Sequence, residues 1–512
     1  MASKIVVHRT HIAIHDYKLH DSNFLEKELS IWDKPTHRAI PIGYIYDEKN
    51  NILKLPRNYS INMLERIFNL EAIVDYTFDN YRKFSKEVSL KYKPRDKDQI
   101  EAIKFILCMD QYKFNERKSM LSLNLNTGKG KTYCAIASIA YLGIASMIIA
   151  PTLDVLNQWN RFFLEYTDID PSRIYIISGT PTIQKLYNRD PDSHDIYLCS
   201  HATLNSYGNT YGWDAIGDLF KYLGIGLKYY DEAHLNFENM FWIDAYTNTF
   251  MSYYLTATKG RSNFDEDQIF QMYFNGVPSI DLFDEEVDPH TRYVAIKYNS
   301  RPDPLDIEYC TNKQYGMDRN KYVSYIVEQL NFERVLYILM EKALSKYGKC
   351  LWYIGTNEGI LKVRDWIYDH YPEMIGNVGI FTSIVTDPKV KADQLNKKII
   401  LSTTKSAGAA VDIKGLVETV NLAEPFKSRV LAQQTLGRTR ADNTIYKDMV
   451  DLGFDQTRRF YNFKRPIFKK YATECNDVVL NDTELEKRSE DIKNRRAKLW
   501  CPVLFEDTCK IN

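Results

Sequence analysis

The run Asn126-Thr127-Gly128-Lys129-Gly130-Lys131-Thr132 stands between an apolar stretch, Met120–Leu125, and a helix-forming stretch from about Lys131 to Leu142. That order restricts the fold more than any other feature of the chain. A strand that enters a helix through a glycine-bearing turn is the opening half of a βαβ unit, so a parallel sheet is implied. The turn itself is suited to phosphate. Its glycines allow backbone N–H groups to approach closely, Lys131 offers a cation to the β- and γ-phosphates, and Thr132 offers a hydroxyl to a magnesium ion. The helix N-terminus adds partial positive charge. Leu125 occupies the place where the general phosphate-loop pattern has a further glycine.

The same alternation continues on both sides. Ser146–Ala150, Ile174–Ile177, Ile196–Cys199 and Leu227–Tyr230 read as strands, with a helix over Val155–Tyr166. A second alternating unit follows, with strands at Cys350–Ile354, Gly379–Phe381, Lys398–Thr403 and Thr419–Leu422 and helices at Glu358–Tyr368 and Ser428–Gly437. Before them, residues 1–88 read as a small α+β module. It has alternating strands at Lys4–His8 and His11–His15, helices at Asn23–Ile31 and Ile61–Phe68, and a hairpin joining Ile42–Tyr46 to Ile52–Leu55. The tail carries basic pairs at Arg458-Arg459, Lys464-Arg465, Lys469-Lys470 and Arg495-Arg496.

Composition limits the functional classes. The 512 residues suffice for several domains, and 67 basic residues balance 67 acidic ones. Any nucleic-acid surface must then be a local patch rather than a global field. No apolar run reaches membrane-spanning length, and the alternating N-terminus does not read as a secretory signal. The cysteines are solitary apart from Cys501 and Cys509, a spacing that suits neither a zinc site nor a disulfide framework, so a reducing cytoplasm is expected.

Three further segments carry chemistry. Asp231-Glu232-Ala233-His234 ends the apolar strand at 227–230. A carboxylate at a strand end is where a phosphate-loop ATPase holds magnesium, and the adjacent Glu232 can activate a water. Thr256-Ala257-Thr258 ends another strand, and its hydroxyls are placed to link a nucleotide site to a neighbouring track. Gln433-Gln434-Thr435-Leu436-Gly437-Arg438-Thr439-Arg440 closes a helix in the second unit and supplies guanidiniums for transition-state charge.

In this order the segments resemble the superfamily 2 helicases over about residues 90 to 455. Gln99 resembles the family's adenine-reading glutamine. Ala150-Pro151-Thr152 and Ser200–Leu204, with Thr203, resemble its nucleic-acid track motifs. Thr403–Ile413, with Ser406, Gly408 and Asp412, resembles its motif V, although Ala410 stands where glycine is usual. The small leading module and the run Thr256–Arg261 are most similar to phage branch-migration DNA helicases of the UvsW kind.

The resemblance implies an α/β fold of two tandem RecA-like lobes. The expected boundaries are 1–88 for a DNA-binding accessory module, 89–265 for lobe 1, 266–320 for a connector, 321–455 for lobe 2 and 456–512 for a helical tail. ATP and magnesium would be held by Gln99, Thr127, Gly128, Lys129, Gly130, Lys131, Thr132, Asp231, Asp412 and Gln434, with Thr132 and Asp231 on the metal. Lys131, Glu232, Arg438 and Arg440 would serve catalysis. Thr152, Thr203 and Ser406 would touch nucleic acid, and His234, Thr256 and Thr258 would couple the two sites. Branched or duplex DNA is the implied partner. An RNA helicase, or a translocase that remodels a complex without separating strands, is the alternative. No protein partner is implied.

The arginine spacing generates a prediction. The family's two arginines lie three residues apart, nearly on one helical face, whereas Arg438 and Arg440 lie two apart, about 200° around a helix. Both reach one phosphate only if the helix stops at or just before Arg438, for which Gly437 is a suitable terminator. Arg440→Ala should then lower kcat by about 10³-fold or more with little change in KM for ATP. If Arg438→Ala alone has that signature, the two roles are exchanged.

Overall fold

Short apolar runs with both faces buried become the central strands of two parallel sheets. The computed structural model describes residues 4–18, 23–33, 38–125, 129–233, 235, 237–256, 264–282, 291–312, 316–407, 413–436 and 444–500. The chain divides into two units, Met1–Glu285 and Glu286–Asn512.

The first unit begins with β1 (Lys4–Val7), β2 (His11–His15), β3 (Ser30–Asp33), β4 (Arg38–Pro41), β5 (Ile45–Asp47), β6 (Ile52–Pro56) and β7 (Ala72–Val74). They build a five-stranded sheet in the order β5-β6-β2-β1-β7 and a separate β3–β4 ribbon. The helix at Asn23–Glu28 is shorter than the sequence predicts. Ser30 and Ile31 belong to β3, which pairs with β4 in the register Ile31↔Ile40. Spacing of apolar residues cannot reveal a strand whose partner arrives from further along the chain.

The unit continues with β8 (Met120–Leu125), β9 (Ser146–Ala150), β10 (Ile174–Ile177), β11 (Ile196–Ser200), β12 (Leu227–Asp231), β13 (Met251–Thr256) and β14 (Ser279–Leu282). All pair in parallel, in the order β10-β11-β9-β12-β13-β8-β14. β8 is buried at every position, as a strand covered on both faces requires.

The second unit holds β15 (Thr291–Tyr298), the ribbon β16 (Thr311–Asn312) and β17 (Gly316–Met317), then β18 (Lys349–Ile354), β19 (Val378–Phe381), β20 (Ile399–Ser402), β21 (Leu416–Ala423), β22 (Thr444–Asp451) and β23 (Cys475–Val479). Its sheet is again all parallel, β19-β20-β18-β21-β22-β15-β23. The pair of helix-connected parallel sheets is the expected RecA-like architecture. β14 and β15 lie within what reads from sequence as a mixed connecting stretch. β22 and β23 also escape the apolar pattern. β22 buries Lys447 against Glu418 at 2.7 Å, and its Asp448 against Lys464 of the helix Asp455–Tyr471 at 2.8 Å. Paired charges take the place of the apolar residues that mark a strand. Among the described residues no helix is long and apolar enough to cross a membrane.

The leading module is joined to the first parallel sheet by polar side chains that reach across. Arg9 donates to the Phe250 carbonyl at 2.7 Å, and Asn58 to that of Tyr273 at 2.7 Å. Lys54 of β6 is buried, donates to the Ala245 carbonyl at 3.1 Å and sits 3.3 Å from the centre of the Tyr246 ring. Burial pushes its ammonium down to about 8, although Asp214 and Asp47 favour the charge.

This lysine predicts a pH dependence. An unfolded lysine titrates near about 10.4. Between pH 8 and that value the unfolded chain holds the proton and the native chain has lost it, so stability rises with pH. The penalty is fully present below pH 8 and gone above about 10.5. Urea unfolding of the wild type and of Lys54→Met should therefore differ with pH. The wild type should gain roughly 3 kcal/mol relative to the variant between pH 7.5 and 10.5. A pH-independent difference would show that Lys54 titrates normally.

Candidate nucleotide site and strand-end track

Five neighbouring strands of the first parallel sheet stop at the same edge, and each is followed by a candidate residue. β8 runs into the 126–132 segment. β13 ends at Thr256, aligned with Asn124 of β8. β12 ends at Asp231, aligned with Leu255 of β13. β9 leads to Thr152 and β11 to Thr203, with Ala150 and Ser200 in register. Asp231 and the phosphate loop are thus two strand spacings apart, about 10 Å. Magnesium-bound triphosphate spans such a gap.

Within the loop, Gly130 has φ +86° and precedes the helix Lys131–Leu142. A Cβ there would lie 2.3 Å from Gln99 Nε2. Glycine is therefore required by conformation and by space. Gln99 is buried near the start of the helix Lys97–Ile106, which Asp96 caps by accepting from the Gln99 N–H at 2.9 Å. Gln99 Oε1 accepts from the Arg95 N–H at 2.8 Å, and Nε2 donates to the Lys129 carbonyl at 3.3 Å. The side chain thus braces the loop backbone. Lys129 pairs with Asp98 at 3.9 Å. Lys131 Nζ donates to the Leu125 carbonyl at 3.4 Å, which holds the ammonium at the end of β8. Thr132 is half-buried on the first turn of the helix.

Asp231 is buried, accepting the Trp159 indole N–H at 2.8 Å and the Glu232 backbone N–H at 3.0 Å. Burial and the Glu232 carboxylate push its carboxyl up to about 6, while the Trp159 bond and the Lys131 cation pull it down. Removed from water beside a second carboxylate, Asp231 suits a divalent cation. Among the described residues no group of three or more His, Cys, Asp or Glu is placed to hold a metal ion by itself. A metal held by Asp231, Thr132 and phosphate oxygens fits magnesium, which keeps few protein ligands. Glu232 has φ +50°, an uncommon conformation for a residue with a long side chain, and is buried. The turn is pinned to β13 by the Ala233 N–H on the Leu255 carbonyl at 3.0 Å.

The track candidates occupy helix starts. Thr152 is exposed and caps the helix Leu153–Tyr166, accepting the Val155 N–H at 3.4 Å. Thr203 is half-buried and bonds Ser200 Oγ at 3.0 Å. In the second unit Ser406 follows β20, its N–H bound to Thr403 Oγ1 at 3.1 Å. Gln434 is buried in the helix Arg429–Leu436. Thr127, Gly128, His234, Thr258, Asp412, Arg438 and Arg440 lie outside the described residues. The contact that sequence reading did not anticipate is Trp159 on Asp231. Its only signal is the position of Trp159 on the helix that follows β9, the neighbour of β12.

Comparison with known proteins agrees with this geometry. Residues 91–261 match the family described as "Type III restriction enzyme, res subunit". A DNA 3'-5' translocase XPB2 from Sulfurisphaera tokodaii is 27% identical over 106 residues, which is 19% of this chain and 24% of that relative. The match therefore spans about a quarter of the relative's length. Among solved structures, S. cerevisiae Dbp5 bound to RNA and ADP BeF3 covers 78% of this chain and 97% of its own, with TM-score 0.51 at 11% identity, a likeness of fold alone. T4 UvsW covers 93% of this chain and 99% of its own at 15% identity, with TM-score 0.35. The family match thus falls within the stretch whose motifs resemble the superfamily 2 helicases.

The loop geometry makes a stability prediction. Gly130→Ala places a side chain at positive φ, costing about 1–2 kcal/mol, and displaces the Gln99 carboxamide. We expect a total loss of about 2–3 kcal/mol in chemical denaturation. Adding Gln99→Ala removes the clash but not the strain, so the double variant should lose at least about 0.5 kcal/mol less than the sum of the singles. Strict additivity would mean that Gln99 does not pack on the loop.

Proposed function

We propose that this chain is an ATP-driven motor on nucleic acid, a helicase or translocase acting on branched or duplex DNA. The observation that carries the reading is the shared strand edge. It gathers the phosphate loop, Asp231-Glu232, Thr256, Thr152 and Thr203 on adjacent strand ends.

In this reading the loop backbone at 127–130 and the Lys131 ammonium hold the β- and γ-phosphates. Asp231 and Thr132 would hold magnesium, which neutralises phosphate charge when bound. Trp159 fixes the Asp231 carboxylate through its indole N–H. Glu232 takes a proton from the attacking water as the water oxygen bonds to the γ-phosphorus. The bond to the β–γ bridging oxygen breaks, and ADP and phosphate leave. Gln99 would contact the nucleotide, and for Asp412, Gln434, Arg438 and Arg440 the motif resemblance implies nucleotide-binding or catalytic roles. Thr152, Thr203 and Ser406 offer hydroxyls and helix-start N–H groups to backbone phosphates, contacts that carry no sequence information. Their distribution suits a motor that moves along any sequence. His234, Thr256 and Thr258 would transmit the state of the nucleotide to that track.

The match to a DNA 3'-5' translocase favours movement along DNA, with or without strand separation, as a second reading. An RNA track is the remaining alternative.

Two variants and one panel test the reading. Lys131→Ala should reduce ATP hydrolysis at least about 10²-fold, since it removes the cation facing the transferred phosphoryl group. Glu232→Gln should bind ATP normally, stall turnover and hold nucleic acid more tightly in ATP than in ADP. Hydrolysis measured with single-stranded DNA, duplex DNA, forked DNA and RNA in parallel should be stimulated most by DNA, forked or duplex. Stimulation by RNA alone would reverse the choice of track, and undiminished hydrolysis in Lys131→Ala would remove the nucleotide site.

A further inference from the structure

A cavity of about 370 Å³ lies at the seam between the leading module and the first parallel sheet, lined by Arg9, Arg57, Asn58, Tyr76, Lys118 and Ser119. Val277 and Pro278 add an apolar wall. It is separate from the nucleotide site. Ser119 immediately precedes β8 and Met120 opens it, whereas the phosphate loop follows Leu125 at the other end, about 20 Å along the strand.

The charge of this cavity is one-sided. Three lining side chains are cationic and none is acidic. The Arg9 guanidinium is buried, donates to the Tyr76 carbonyl at 3.2 Å and that of Phe250 at 2.7 Å, and lies over the Phe78 ring at 5.0 Å. Arg57 donates to the Tyr76 hydroxyl at 2.6 Å and lies 5.3 Å from the centre of that ring. The buried Nε atoms of both arginines have no hydrogen-bond partner. Burial pushes both guanidiniums below their ordinary value, and only Tyr76 opposes it. Among the described residues no carboxylate pairs with Arg9, Arg57 or Lys118.

Other partly buried arginines of the same unit are treated differently. Arg82 and Arg173 share Asp195, each at 2.8 Å. A buried cation without an anion is costly, and two brought together are more so. Among the described residues the seam thus presents cationic groups whose charge an incoming anion would balance. Guanidinium forks match phosphate oxygens in planar pairs, and Lys118 adds an exposed point charge. The cavity volume falls within the range of about 300–1,000 Å³ that accommodates small organic ligands. The Tyr76 ring, 46% exposed, provides a surface for a base or sugar.

We propose that this pocket is a second phosphate-binding site, which takes the phosphate of a nucleotide-sized ester or of a nucleic-acid backbone. Pyrophosphate titration by calorimetry tests it. The full-length Lys131→Ala protein, with its phosphate loop disabled, should still bind pyrophosphate. Adding Arg57→Gln and Lys118→Gln should weaken that binding at least about tenfold, with the melting temperature monitored for folding. Lys118 is exposed, so Lys118→Gln alone keeps the test open if the Arg57 variant fails to fold, with a loss of about threefold or more expected. A short duplex DNA added to the Lys131→Ala protein distinguishes the sources. Displacement of pyrophosphate that is lost in Lys118→Gln assigns the site to backbone phosphate, and absence of displacement assigns it to a free ester. No binding to the Lys131→Ala protein, or binding unchanged by both substitutions, overturns the proposal.

Discussion

A parallel sheet has one edge at which every strand stops with its carboxyl end, and the candidate chemistry of this chain depends on that edge. Strand direction is uniform only because each connection is a crossover that returns the chain to the same side. In the first unit, β8, β13, β12, β9 and β11 are consecutive neighbours, and each releases a short segment at the same level. Slippage of one residue in a single pair would turn the side chains of that strand to the other face. The close register Asp231↔Leu255 and Thr256↔Asn124 is what holds an acidic turn within reach of a candidate phosphate loop about a hundred residues earlier.

Two buried carboxylates in this unit illustrate how compensation separates structural from chemical roles. Asp244 is fully buried and receives Lys228 at 2.5 Å and the hydroxyls of Tyr230 at 2.7 Å, Tyr254 at 2.6 Å and Tyr273. Its lone pairs are spent within the core, which joins β12, β13 and two helices. Asp231, at the other end of β12, receives one indole N–H and one backbone N–H. Burial raises it to about 6 because those two donors do not replace water. One strand thus begins beside an acid held by a lysine and three hydroxyls and ends on an acid that accepts two N–H groups.

The second unit repeats the architecture with different means. Asp448 of β22 is held by Lys464, by Asn421 at 2.8 Å and by Tyr293 at 3.0 Å. Glu424, just beyond β21, is buried between Arg319 and the Thr404 N–H, the latter at 3.1 Å, so the helix that carries Ser406 is anchored from its first turn. Two of the four basic pairs of the tail meet acids from elsewhere. Lys464 meets Asp448, Arg465 meets Asp477 at 3.5 Å, and Arg496 meets Glu373 at 2.7 Å. In these two, a cluster of like charges in sequence is a set of ion pairs in space.

What the sequence by itself determined is local. The strand–turn–helix at 120–142 is legible because glycines, an apolar run and helical spacing all act within a few residues of one another. The same holds for β9, β10 and β12, for the helix at 61–68 and for the order of the motifs. What only the tertiary structure decided is non-local. β3 exists because β4 pairs with it, and β22 is buried because Glu418 and Lys464 neutralise its charges. Gln99 braces Lys129 from a different helix, and Trp159 reaches Asp231 from the helix after β9. Arg9, Arg57 and Lys118, scattered over more than a hundred residues, meet in one cavity without a carboxylate. Residue type and spacing encode which conformations a segment prefers. Whether a charged side chain finds a partner depends on which distant segments the fold brings beside it.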